Sequence, residues 1–211
     1  MWWLMNSYPK YTQIKNKKYK INTDYKVALQ CEKVAKSEVS EEERALAIIY
    51  LLFGDKGLQD SENWQELLQI GMKYLNCGKE IENNEEEIEV DMDFEQDWEY
   101  IRTSFFYDYK IKLNKNTYMH WWEFYNLLCG LSEKCILSRV RFVRDFDISQ
   151  IKDSKEYEKW ARQKEQLALK KENIKTAEER RLDELFEQQL RGRWESWTVT
   201  WKSKQNLIIV E

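Results

Sequence analysis

The residue with the clearest capacity for chemistry is His120, the single histidine of the chain. Glu123 follows it three positions later in a segment of helical patterning, so the two side chains could share one metal ion. The carboxylate–histidine pairs of di-iron helical bundles come in twos, however, and the sequence supplies no second pair. We therefore predict that His120 lies on a helix surface or at the edge of the core, beside two tryptophans.

Cysteine spacing argues against a zinc site. Cys129 and Cys135 are further apart than the paired cysteine ligands of zinc knuckles, which are separated by two to four residues. No second pair accompanies them, because Cys31 and Cys77 stand alone in the sequence. Reduced, buried thiols are the expected state of all four.

The densest run of carboxylates spans residues 80–97, where ten of eighteen positions are Asp or Glu. A calcium loop starting at Asp91 would have ligands at alternating positions, but Gln96 stands where a glycine must turn the chain. Arg102 also occupies the twelfth position, which requires a bidentate glutamate. We predict a solvated acidic loop here.

Motifs for phosphate binding and for nucleophilic catalysis are absent from the sequence. The six glycines form neither G-x-G-x-x-G nor G-x-x-x-x-G-K, and there is no G-x-S-x-G turn. We predict that the protein is not an enzyme and that it has no catalytic residue, metal or cofactor.

The adjacent residues Trp121 and Trp122 are the strongest sign of a binding surface. Neighbours on a helix point about 100° apart, so both side chains are not expected to face inward. One of them is therefore a candidate for an exposed aromatic residue, the type that is enriched at interface hot spots. Phe124, Tyr125 and Leu128 are expected to share a face with Trp121.

A hairpin and a series of helices would position these residues. Residues 11–21 are rich in β-forming residues of alternating polarity, with a turn predicted at Asn16 and Lys17. Capping residues and apolar spacing predict helices that begin near Asp24, Ser40, Ser61, Trp98, Met119 and Ser132, with stops at Gly54, Gly78 and Gly130. The first of these helices is expected to present Val27, Cys31, Val34 and Ala35 on one face.

The composition changes after residue 151. Residues 152–193 are rich in strong helix formers with both charge signs interleaved, which predicts a long charged helical segment. Residues 194–211 are apolar and rich in tryptophan, and the alternation around Trp197 and Trp201 is compatible with a short hairpin. The predicted organisation is a core domain over 1–151 with the acidic loop 80–97, then segments 152–193 and 194–211.

Bulk composition favours a helix-dominated soluble protein. Ten Trp, twelve Tyr and eight Phe can fill a sizeable core, whereas one Pro and six Gly are too few for the turns of an all-β fold. The predicted fold class is mainly α: a helical bundle with a small N-terminal antiparallel β-hairpin and a long charged C-terminal helix.

Charge and hydropathy exclude two classes of partner. A formal net charge of −4 lacks the electrostatic footprint of a general nucleic-acid binder, although Arg139, Arg141 and Arg144 form a local basic patch. The longest uncharged apolar run, 45–54, is half of the ~20 residues that a bilayer requires, and residues 1–5 are too short for a signal-peptide core. We expect neither nucleic acid nor a membrane as a partner.

The order of several blocks resembles a widespread family of small bacteriophage proteins, often labelled only by a gene-product number. The resemblance covers roughly residues 11–170 and is carried by the blocks 14–25, 93–109, 119–124, 128–131, 139–144 and 147–152. The His-Trp-Trp-x-Phe sequence starting at His120 is its most specific part. The opening Trp2-Trp3-Leu4 and the chain after about residue 175 depart from the family pattern.

The resemblance implies a role in tail morphogenesis. Members of the family are encoded near the tape-measure gene of long-tailed phages, so the implied function is that of a tail-assembly chaperone in the cytoplasm of the bacterial host. The implied partners are the tape-measure protein and tail-tube subunits, with self-association left open. The candidate contact residues are His120, Trp121, Trp122, Tyr125, Trp197 and Trp201. The alternative is a structural virion component, such as a tail or head–tail joining protein.

Overall fold

A computed structural model describes residues 8–79 and 91–170. The chain divides into two compact units, residues 1–169 and residues 170–211, and all but one of the described residues belong to the first. This unit includes the beginning of the segment 152–193. The residues 80–90 of the acidic loop and the whole of 194–211 lie outside the described residues.

The N-terminal hairpin is present, with its turn one residue earlier than predicted. Strands β1 (Tyr11–Ile14) and β2 (Lys17–Lys20) pair antiparallel with Ile14 opposite Lys17, and Lys15 turns the chain with φ 51°. Alternation along β2 places Lys17 and Tyr19 on one face of the hairpin, where both bind the Asp60 carboxylate. These two hydrogen bonds lower the pKa of Asp60 to about 2.

Three helices follow the hairpin: α1 (Tyr25–Ala35), α2 (Glu41–Leu58) and α3 (Trp64–Leu75). The Ser40 hydroxyl and the Glu43 carboxylate form the predicted capping box at the start of α2. The predicted stop at Gly54 coincides with a break in the helix: Gly54 has φ 65° and ψ −162°, which is not helical, and a second short helical segment then continues to Leu58.

The buried face of α1 differs in part from the prediction. Cys31 and Val34 are buried as predicted, together with Tyr25 and Ala28, whereas Val27 is half-buried and Ala35 is exposed. The helix therefore faces the core along positions 25, 28, 31 and 34, because its partners α2 and α5 lie on that side.

Four further helices are described: α4 (Trp98–Tyr109), α5 (Trp121–Cys129), α6 (Ile136–Asp145) and α7 (Ser154–Leu167). Helix α5 ends at the predicted Gly130, and α7 packs against α6 without burying any of its own residues completely. The mainly α fold class with a small antiparallel hairpin is confirmed. None of the described helices is both long enough and apolar enough to cross a bilayer.

The centre of the core is a stack of three aromatic rings from three helices. The Phe124 ring of α5 stacks between Tyr25 of α1 and Phe105 of α4, with centroid distances of 4.8 and 5.1 Å. All three side chains are fully buried. Because this stack joins α1, α4 and α5, it holds these three helices in position relative to one another.

Candidate partner-binding site

The two adjacent tryptophans both bind the C-terminal end of α3. The indole Nε1 of Trp121 donates a hydrogen bond to the Leu75 carbonyl, and that of Trp122 donates to the Tyr74 carbonyl, each at 2.8 Å. Carbonyls in the last turn of a helix have no partner within the helix. The indoles bind two of them, and the Tyr74 carbonyl also accepts from the Cys77 backbone N–H.

Neither indole is exposed, although the sequence argument expected one of the pair to be. Trp121 is 5% exposed and Trp122 is half-buried. The two Cβ directions diverge as expected for neighbours, but an indole is large enough for both rings to reach the same helix end. The predicted role of these residues in partner binding stays a prediction, with Trp122 the more accessible.

The half-buried ring of Trp122 can take its position only because residue 78 is a glycine. It stacks on Tyr74 with centroids 5.9 Å apart, and a Cβ placed on Gly78 would lie 2.9 Å from the ring. Gly78 also has φ 79°, which non-glycine residues rarely adopt. The predicted stop at Gly78 thus has two roles, ending the helical segment and leaving room for the indole.

His120 is a buried capping residue at the start of α5, at the edge of the core as predicted. Its Nδ1 accepts a hydrogen bond from the Trp122 backbone N–H, and its Nε2 lies 3.1 Å from the Pro9 carbonyl, an acceptor only. The ring is therefore neutral, with its proton on Nε2. It also stacks on Tyr8 at 4.9 Å, so His120 connects the N-terminal segment to α5.

We expect the stability of the protein to decrease as the pH falls below about 6.5, the ordinary pKa of histidine. Burial lowers the pKa of His120 in the folded state, so the unfolded chain takes up the proton first and is favoured as pH falls. Protonation of Nδ1 would also break the bond that caps α5. Urea unfolding at pH 7.5 and pH 5.5 measures the effect, which is at most about 1.4 kcal/mol per pH unit.

His120→Asn is the matched control for this pH dependence. Asparagine can still cap the helix but does not titrate, and the chain has no other histidine. The variant is expected to show a flatter profile between these two pH values. If the free energy of unfolding of the variant depends equally steeply on pH, the pH dependence belongs to another group.

Of the remaining predicted contact residues, the structure describes only Tyr125. Tyr125 is half-buried and lies against Trp121, with ring centroids 5.6 Å apart. Trp197 and Trp201 lie outside the described residues.

A group of aromatic side chains on α6 and α7, which we call the aromatic patch, was not singled out by the sequence reasoning. It consists of Phe142, Phe146 and Trp160, together with Tyr157, which lies one turn before Trp160 on α7. Phe146 lies between Phe142 and Trp160, with centroid distances of 5.6 and 4.4 Å. Phe142 and Tyr157 are 58% and 44% exposed. The sequence feature that could have indicated this patch is the helical spacing of large aromatic residues within a strongly charged segment.

A second surface feature is an open groove between α1 and the start of α4, which we call the α1–α4 groove. It has a volume of about 510 Å³ and is lined by Tyr25, Lys26, Leu29, Trp98, Arg102, Leu113, Asn114 and Lys115. Trp98 stacks on Tyr25 with centroids 6.3 Å apart, which extends the aromatic stack of the core to the surface. Sequence reasoning did not find this groove, because its residues come from three separate parts of the chain.

The cysteines and carboxylates do not assemble a metal centre within the described residues. In residues 8–79 and 91–170, no three His, Cys, Asp or Glu side chains converge in a way that could hold a metal ion. Cys31 and Cys135 are buried, and burial raises the pKa of the Cys31 thiol to about 12. Cys129 is exposed, so the expectation that all four thiols are buried is wrong for this residue.

The described residues define a mainly α protein with a small antiparallel hairpin. The chain belongs to the bacteriophage Gp15 protein family, whose model, described as Bacteriophage Gp15 protein, matches residues 4–169. No curated protein and no solved structure matches the chain. The predicted bacteriophage origin is thereby confirmed, and the family supports a structural or morphogenesis protein of the phage.

Proposed function

We propose that this protein is a phage tail-assembly chaperone that binds the tape-measure protein, and also tail-tube subunits, in the cytoplasm of the bacterial host. The observation that carries the proposal is the aromatic patch on the described core, in a chain of this phage family. A chaperone has to cover apolar stretches of its client reversibly. Exposed aromatic side chains provide such contacts without any catalytic group.

The surroundings of the aromatic patch suit a reversible contact. Helix α7 presents Lys155, Glu156, Glu158, Lys159 and Arg162 to solvent around Tyr157 and Trp160. Interfaces of this kind have an apolar centre with a polar rim, and the rim keeps the free protein in solution. The same side chains would keep a complex with an aggregating client soluble, because they stay hydrated around the contact.

Co-expression with the tape-measure protein of the same phage, followed by size-exclusion chromatography, tests the proposal. A soluble complex is expected, with the tape-measure protein insoluble when it is expressed alone. If the tape-measure protein stays insoluble and this protein elutes as a defined oligomer, the proposal fails. The structural virion component then becomes the better candidate, and purified particles would be examined for the protein.

Phe142→Ser is expected to weaken the complex with the tape-measure protein by about tenfold or more, the size of effect seen at interface hot spots. Because Phe142 is largely exposed and serine has a similar helix propensity, the free protein should unfold at nearly the same denaturant concentration. Binding by the purified variant to an immobilised tape-measure fragment provides the measurement.

Phe106→Ser serves as the matched control. Phe106 is similarly exposed, at 47%, but lies on α4, where the ammonium groups of Lys110 and Lys112 approach its ring. Equal losses of binding in the two variants, or no loss in Phe142→Ser, would show that the aromatic patch is not the contact surface.

A further inference from the structure

The α1–α4 groove combines an apolar floor with cationic side chains. Tyr25 and Leu113 are almost fully buried beneath it, and Leu29 and Trp98 form its half-buried walls. These four side chains leave an apolar recess on a surface that is otherwise strongly charged. A volume of about 510 Å³ accommodates several apolar side chains of a partner.

The charge of the groove is opposite to that of the whole chain. Its lining contains three cationic side chains, Lys26, Arg102 and Lys115, and no carboxylate, whereas the formal net charge is −4. Lys115 is exposed, and Arg102 pairs through Nη1 with Glu99, whose side chain is 75% exposed. A guanidinium has five N–H donors, so Arg102 can bind a second carboxylate.

Lys26 has a different role from the other two cations. Its ammonium group donates to the carbonyls of Lys115 and Thr117 and pairs with Asp24, with distances of 2.8 to 3.1 Å. It therefore holds the loop that carries Asn114 and Lys115 against the start of α1. The groove wall is preorganised by these contacts, which reduces the entropic cost of binding a partner.

We propose that the α1–α4 groove binds an amphipathic helix whose apolar face is flanked by aspartate or glutamate. The inference rests on the proposed function, since it gives the chemistry of the client segment. Apolar side chains of such a helix would enter the recess above Tyr25 and Leu113, and its carboxylates would meet Arg102 and Lys115. The lining comes from helices and a loop and contains no strand edge, which favours a helix over an added β-strand.

A synthetic peptide of about 16 residues, long enough to form a helix, tests the groove directly. It carries leucine at every third or fourth position with glutamate between, and a fluorescein label for anisotropy measurements on the full-length protein. A matched peptide has lysine in place of glutamate, and a labelled oligothymidine tests the nucleic-acid alternative. Tighter binding of the glutamate peptide than of either other probe is expected.

Charge reversal identifies the side chains that bind the peptide. Arg102→Glu and Lys115→Glu are each expected to weaken binding of the glutamate peptide about five- to tenfold. Lys20→Glu changes the net charge equally but lies on β2 and not in the groove lining, and it should leave the affinity unchanged. Equal affinities of all three variants for the glutamate peptide would overturn the inference. Preference for the lysine peptide or for oligothymidine would also overturn it.

The same variants separate this inference from the proposed function. Suppose that Arg102→Glu and Lys115→Glu bind the glutamate peptide as tightly as the wild-type protein does and also form the tape-measure complex. The groove inference then fails and the proposed function stands. If they lose the peptide while the wild-type protein forms no tape-measure complex, the groove is a helix-binding site for another client, and the proposed function fails.

Discussion

Asp97→Asn is expected to lower the free energy of unfolding by about 3–5 kcal/mol, because it leaves a buried arginine without its counter-ion. Arg144 binds both carboxylate oxygens of Asp97, with Nη1 and Nη2 at 2.7 and 2.8 Å. The two side chains are only 11% and 1% exposed. Urea unfolding followed by circular dichroism at neutral pH provides the measurement.

The loss of stability in Asp97→Asn should extend beyond the ion pair of Asp97 and Arg144. Arg144 also donates from Nη1 to the Asp91 carbonyl and from Nε to the Leu167 carbonyl at the end of α7. These bonds connect α4, α6 and α7 through one guanidinium. Hydrogen exchange is therefore expected to increase in α7 in Asp97→Asn, and such a change would also alter the aromatic patch.

Arg141→Gln is the matched control for the buried pair. Arg141 binds Asp91 at 2.7 Å, but both side chains are about 40% exposed, so its loss should cost at most about 1 kcal/mol. Adding Arg144→Met to Asp97→Asn should recover part of the lost stability, because it removes the uncompensated charge. Similar losses of unfolding free energy in Asp97→Asn and Arg141→Gln would contradict the importance of the buried pair.

Trp121→Ala is expected to cost about 3–5 kcal/mol, the usual range for removing a large aromatic side chain from a core. The indole contacts Phe124, with ring centroids 5.8 Å apart, and binds the Leu75 carbonyl. Its removal would leave a cavity and an unsatisfied carbonyl at the end of α3. Thermal and urea unfolding of the variant would measure the loss.

Variants at the neighbouring position distinguish packing from surface contact. Trp122→Ala should cost less than Trp121→Ala, because Trp122 is only half-buried. Trp121→Phe and Trp122→Phe each remove one indole N–H bond to α3 and keep an aromatic ring, so their losses should be smaller, about 1–2 kcal/mol. A larger loss in Trp122→Ala than in Trp121→Ala would contradict the placement of Trp121 in the core.

Local signals predicted most of the helical elements, because they depend on residues close together in sequence. Ser40 and Glu43 form a capping box, and Asp24 caps α1, as their spacing indicates. The hairpin was also predicted, but its turn lies one residue earlier, at Lys15 and Asn16. Its second strand binds Asp60, more than forty residues away, and a local turn argument cannot include such a contact.

The candidate site was less predictable than the elements. The sequence correctly directed attention to the residues around His120, but it could not show that both indoles reach the end of α3. The α1–α4 groove combines residues near positions 25, 98 and 114, which only the folded chain brings together. The aromatic patch likewise depends on the packing of α7 against α6.

The sequence by itself determined the mainly α class, most of the helix starts and the phage family, since capping, periodicity and motif order are properties of short segments. Helix α6, predicted to begin near Ser132, begins only at Ile136. Only the tertiary structure decided which aromatic side chains are buried and which are available to a partner. Trp121 became part of the core while Phe142 and Tyr157 remained exposed. The reason is physical: burial depends on the contacts between helices distant in sequence, and residue type alone does not specify those contacts.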